Sequence, residues 1–113
     1  MVQSEAPEAL DGAIVIKWMW SGKEPFGYMS VVDGDNPNSD YPDIEIYGLA
    51  ICQYEDSPIF YRFSCDKNWE VQNDAPYDSI EAAMIISDQY KNVEGQWLTK
   101  WARLRLNLFL SKM

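Results

Sequence analysis

The segment Ala13-Ile14-Val15-Ile16-Lys17-Trp18-Met19-Trp20 constrains this chain more than any other. In a strand, Ile14, Ile16, Trp18 and Trp20 recur at period two and share one face. With five Trp and seven Tyr, the chain has ample aromatic surface for a real core. Ser21-Gly22-Lys23-Glu24-Pro25 reads as a turn. A second strand follows over Phe26–Val32, a third over about Ile44–Gln53 and a fourth over about Ile59–Cys65. Between the last two, Tyr54-Glu55-Asp56-Ser57-Pro58 has the composition of a hairpin connection. With its turn centred near Asp56, Tyr47, Leu49 and Ile51 stand opposite Cys65, Phe63 and Tyr61, all on one face. The other face carries Ile44, Ile46, Gly48, Ala50 and Cys52 beside Phe60, Arg62 and Ser64, a mixed and partly covered set. Trp69-Glu70-Val71-Gln72 reads as a short fifth strand.

The period then changes. Asp78-Ser79-Ile80-Glu81 is a capping-box pattern, with Asp78 as the cap. Ala83, Ile86, Tyr90 and Val93 follow at helical spacing, and Gly95 is a stop. In the tail, Trp97, Trp101, Leu104 and Leu108 fit one helical face, while Leu104, Leu106, Leu108 and Leu110 also alternate as in a strand. Leu, Ala and Arg are good helix formers, and β-branched residues are absent there, which favours helix. The expectation is an α+β fold. It has an antiparallel β-meander of four to five strands, a helix at about 78–93 packed on one face, and a C-terminal element in which helix is favoured over strand. Residues 1–113 form one domain, with 1–11 as a loose acidic lead-in.

The chain contains no histidine, so Ser-His-Asp and Cys-His catalysis are excluded. No phosphate-cradling glycine motif and no cysteine cluster for zinc is present. Asp33-Gly34-Asp35 opens like a calcium loop. However, Pro37 falls at the third ligand position, Asn38 where glycine is required and Ile44 at the twelfth position, so the EF-hand reading fails. Cys52 and Cys65 are expected to point to opposite faces, about five residues apart along the hairpin. That predicts two reduced thiols serving as small buried hydrophobes. No catalytic residue, metal ligand or cofactor is expected. The start Met1-Val2-Gln3-Ser4-Glu5-Ala6-Pro7-Glu8 lacks the basic and apolar character of a signal peptide, and no apolar run approaches a membrane span. Both point to the cytoplasm.

The net charge is −9, from nine basic and eighteen acidic residues. A field of that sign disfavours nucleic acid and anionic membranes and attracts basic proteins. The distribution is uneven: residues 1–94 hold all eighteen acids and five bases, while residues 95–113 hold Lys100, Arg103, Arg105 and Lys112 and no acid. That basic end either packs back on the acidic body or meets a second chain, a copy of itself included. Acids interleave with aromatics in the loops, and these loops predict a partner-binding surface. Asp33, Asp35, Asp40, Asp43, Glu55 and Asp56 supply its field, and Tyr41 and Tyr54 act as anchors.

The Trp69-Glu70-Val71 strand, the helix entry Pro76-Tyr77-Asp78-Ser79-Ile80-Glu81-Ala82-Ala83 and the acid-rich loops resemble the small acidic immunity proteins of bacterial toxin systems. The resemblance implies a non-enzymatic inhibitor that neutralises a basic partner, a cognate toxin, by covering its active surface. Two other classes fit the composition: a DNA-mimicking anti-restriction decoy, which needs carboxylates in a regular row, and a small carboxylate-dependent enzyme, which needs two acids in a deep pocket.

Overall fold

A computed structural model describes residues 5–30, 43–85 and 97–100. The elements are β1 Ala9–Leu10, β2 Ala13–Trp20, β3 Gly27–Met29, β4 Ile44–Ile46, β5 Gly48–Gln53, β6 Phe60–Cys65, β7 Val71–Tyr77, α1 Ile80–Ala83 and β8 Leu98–Thr99. Strands hold 51% of the described residues and helix 5%, so the fold is essentially all-β and the α+β expectation is overturned. A curled antiparallel sheet in the order β1-β2-β5-β6-β7 carries β8 on β2, and β3 and β4 pair separately.

The sheet starts earlier in the chain than the composition of its N-terminal segment indicates. Asp11 and Gly12 have φ values of 48° and 86° and join β1 to β2 with Leu10 opposite Ala13. A two-residue Asp-Gly loop with both residues left-handed matches the twist of a tight hairpin. Ala6 and Leu10 are buried in the core.

In β2 the period-two reading is broken by a bulge. Val15 pairs with Cys52 and Lys17 with Ile51, leaving Ile16 as the extra residue. An inserted residue reverses the alternation downstream. Ala13 and Val15 therefore share a face with Trp18 and Trp20, not Ile14 and Ile16 with the two tryptophans.

The β5–β6 hairpin forms as expected but is registered one residue away. Gly48, Ala50 and Cys52 stand opposite Cys65, Phe63 and Tyr61, while Leu49 and Ile51 face Ser64 and Arg62. The connection is held by Ser57, whose amide donates to the Tyr54 carbonyl, whose carbonyl accepts from Gln53 Nε2 at 2.9 Å, and whose hydroxyl accepts from the Ile59 amide.

Both faces of this sheet are covered. One core gathers Leu10, Ala13, Val15, Ala50, Cys52, Phe63, Cys65 and Trp69. On the other face Met19 and Leu49 pack with Phe26 and Ile46, so the β3–β4 pair acts as a cover. The expected continuous third strand is interrupted at Tyr47, whose amide donates to Cys65 O and whose carbonyl accepts from Ser21. The fifth strand runs over Val71–Tyr77 instead of Trp69–Gln72. Trp69 sits in the preceding turn at φ 62°, outside the strand. Among the described strands β7 is the last in the sheet, a position in which Pro76 is tolerated.

The expected helix over 78–93 is a single turn, Ile80–Ala83, in its described part. Its cap is Ser79, not Asp78: the Ser79 hydroxyl accepts from the Ala82 amide at 3.1 Å. Ile86, Tyr90 and Val93 lie outside the described residues; Ala83 is fully buried. What holds this turn to the sheet is Arg62, whose Nη1 donates to the Ala83 and Ile85 carbonyls at 3.0 and 2.7 Å. Trp97 Nε1 donates to Met84 O at 3.1 Å. The helix favoured over 97–110 is corrected where the chain is described. Leu98–Thr99 pairs with Trp18 and Lys17, because β2 has a free edge beyond the reach of β1. Residues 101–110 lie outside the described residues. Lys100 is buried and ties this strand to the N-terminal segment through Glu5 at 2.8 Å and the Ala6 carbonyl. No described helix is long and apolar enough to cross a membrane.

Candidate functional site

The ladder aligns Ile14, Gln53, Phe60 and Tyr77 across β2, β5, β6 and β7. The connections just beyond these residues gather at one end of the sheet. They contribute Asp11 from the β1–β2 turn, Tyr54, Glu55 and Asp56 from the β5–β6 turn, and Asp78 after β7, all exposed. Tyr54 is the organised member. Its hydroxyl donates to Asp11 O at 3.3 Å, linking the two turns, and its ring meets Tyr61 edge-on at 5.5 Å. With 38% of its surface open, it is held in place yet available.

Of the eight residues expected to bind a partner, Tyr54, Glu55 and Asp56 come together here. Asp43 does not: it precedes β4 and is separated from them by all of β5. Asp33, Asp35, Asp40 and Tyr41 lie outside the described residues. Asp11 and Asp78, neither of them among those eight, join the group, because only the strand pairing brings their turns alongside Glu55 and Asp56. Among the described residues no three Cys, Asp or Glu side chains converge closely enough to hold a metal ion.

A second surface was missed. Trp20 stacks on Tyr47 with centroids 5.7 Å apart and 29° between planes, and leans on Trp69 at 5.6 Å. Trp69 meets Trp18 edge-on at 6.3 Å. Trp18 and Trp20 were legible at alternate positions; Tyr47 and Trp69 join them only through the β5–β6 register and the Trp69 turn. The Tyr47 phenol is pushed up from its ordinary value by partial burial and by the negative fields of Glu45 and Glu24, with Tyr28 adding to them.

Cys52 and Cys65 are free and buried. They share one face instead of opposing ones, since Cys52 lies across from Tyr61 and Cys65 across from Gly48, four residues apart along β5. Burial first, then Asp66 and Asp11, pushes the Cys65 thiol up to about 12; burial and Cys65 push Cys52 up as well. These groups cannot serve as thiolate nucleophiles near neutrality. The native state holds its thiol protons where the unfolded chain has lost them. The resulting stability is complete below the ordinary thiol value of 9.0 and is lost as pH rises toward about 12. A Cys52→Ala, Cys65→Ala variant is expected to lose stability less steeply than the parent between pH 9 and 11. Urea midpoints across that range measure it, and parallel slopes would refute the assignment.

No protein-family model, curated protein or solved structure matches the chain.

Proposed function

We propose that this chain is a protein-binding module that inhibits a basic partner stoichiometrically, in the manner of a cytoplasmic immunity protein covering the active surface of its toxin. The observation that carries the reading is the gathering of Asp11, Glu55, Asp56 and Asp78 around the half-exposed Tyr54 at one end of the sheet. An anchored aromatic ring inside a field of fixed charge is how interfaces combine affinity with partner selection.

The rest of the described surface supports the same sign of partner. Thirteen carboxylates are described, against five cations, and two of those, Arg62 and Lys100, are buried in internal bonds. The four carboxylates at the Tyr54 end come from three separate connections and not from a row along one strand, which supports a protein partner over a decoy for a phosphate backbone.

The test begins with capture of the partner by the intact chain at low salt, followed by stopped-flow association. The association rate is expected to fall steeply with added salt. The Glu55→Lys, Asp56→Lys variant is expected to associate about tenfold more slowly, with dissociation changed far less. An association rate indifferent to both salt and charge reversal would remove the electrostatic basis of the reading.

A further inference from the structure

The β3–β4 pair has an inner and an outer face. Ile46 is fully buried, and Met29 and Ile44 pack against the same core. Tyr28 and Glu45, paired with each other between those inward residues, therefore face out, and Tyr28 is 61% exposed. Tyr47 follows β4, where the chain turns, and its ring stacks on Trp20. Trp20 in turn rests on Trp69, which is only 5% exposed. The row runs from a buried end at Trp69 through Trp20 to Tyr47, and the open Tyr28 ring stands beside Glu45 on the outer face. The Trp20 and Tyr47 rings are fixed from behind before any ligand arrives, which lowers the ordering cost of binding.

Glu45 is exposed beside Tyr28 on β4, two residues before Tyr47, and Glu24 is exposed in the connection that leaves Trp20; the fields of both reach Tyr47. Among the described residues neither carboxylate has a salt-bridge partner, and the adjacent exposed Lys23 is paired with neither. The part-buried Trp20 and Tyr47 rings and the open Tyr28 ring, beside carboxylates with no salt-bridge partner among the described residues, complement a planar cation. A guanidinium stacks on the rings and donates its fork of N–H groups to carboxylate oxygens; an ammonium does the second but not the first.

We infer that Trp20, Tyr47 and Tyr28, with Glu24 and Glu45, form the seat for an arginine side chain of the partner protein. The inference rests on the reading that the partner is basic, and it uses a different surface from the Tyr54 end of the sheet.

The test titrates the full chain at low salt with a blocked hexapeptide of alternating glycine and arginine, beside its lysine and citrulline twins. The Trp20 indole and Tyr47 ring resonances report the site, and calorimetry gives affinity. The arginine peptide is expected to shift both signals and to bind at least about threefold more tightly than the lysine twin, with the neutral citrulline twin weakest. Tyr47→Leu and Glu45→Gln are each expected to weaken it about fivefold. The Glu55→Gln, Asp56→Asn pair should change it less than about twofold. Glu45 is exposed on its strand, so Glu45→Gln tests the site even where Tyr47→Leu disturbs folding. Shifts confined to residues 54–56 would overturn the arginine seat while leaving the basic-partner reading intact. No shift with either cationic peptide would overturn both.

Discussion

Gly48→Val is expected to destabilise the protein by about 3 kcal/mol, and Gly48→Ala by about 2 kcal/mol, measured as shifts in urea midpoint at constant slope. A Cβ at position 48 would lie 2.6, 2.8 and 2.9 Å from three ring carbons of Trp69, closer than real side chains approach. The obstacle is not the free end of a mobile side chain. Trp69 is buried, its ring is in contact with both Trp18 and Trp20, and its own backbone is held at φ 62°, where a bulky residue is strained. The φ of Gly48 lies outside the left-handed region, so glycine is required there for space and not for backbone conformation. Removing the ring should remove the penalty. Trp69→Ala alone is expected to cost about 3–5 kcal/mol, and in that background Gly48→Ala should cost almost nothing further. Equal costs in the two backgrounds would show that the indole is not what position 48 accommodates.

The same site explains why some of the fold was legible in the sequence and some was not. Antiparallel strands around a 54–58 turn and a turn after Trp20 follow from turn chemistry, which acts locally. Register does not. Every residue of Gly48-Leu49-Ala50-Ile51-Cys52 is buried, because both sheet faces are covered. Without a solvent face the hydrophobic pattern carries no information about which residues look inward together, and a one-residue slip is invisible. The bulge at Ile16 is hidden for a related reason, since an inserted isoleucine in an isoleucine-rich strand leaves the composition unchanged. The Asp78–Glu81 signature places a helix start within one residue of Ser79, yet a cap specifies a beginning and says nothing about length.

The candidate surfaces inherit these limits. Glu55 and Asp56 could be read from their turn alone, whereas Asp11 and Asp78 become their neighbours only after β1 and β7 are added to the sheet. The Trp20–Tyr47 stack depends on β4 breaking from β5 at Tyr47, where main-chain bonds to Ser21 and Cys65 turn the chain. Nothing local in Glu45-Ile46-Tyr47-Gly48 signals that break.

Arg62→Met is expected to cost about 3 kcal/mol and to free the segment around Met84 from the sheet. Position 62 lies directly across from the fully buried Ile51, where an apolar residue would be the ordinary choice, and the guanidinium is itself buried. Among the described residues, two contacts help to compensate its desolvation. Its Nη1 donates to two carbonyls at the end of α1, at 3.0 and 2.7 Å, and its Cζ lies 5.0 Å from the centre of the Tyr77 ring. A cation at a helix C-terminus also meets the negative end of the peptide dipoles, although a single turn makes that contribution small. Methionine keeps much of the stem's volume while deleting the donors and the charge, so its effect reports the clamp and not a cavity. Arg62→Lys should recover less than half of the loss, because a point-like ammonium cannot bridge both carbonyls and also lie flat on Tyr77. A local readout separates the clamp from general weakening. The Trp97 indole N–H donates to Met84 O at 3.1 Å, and its hydrogen exchange should accelerate in Arg62→Met more than that of amides in β2 and β5. A cost below about 1 kcal/mol with unchanged indole protection would mean that the burial of Ala83, and not Arg62, holds this turn against the sheet.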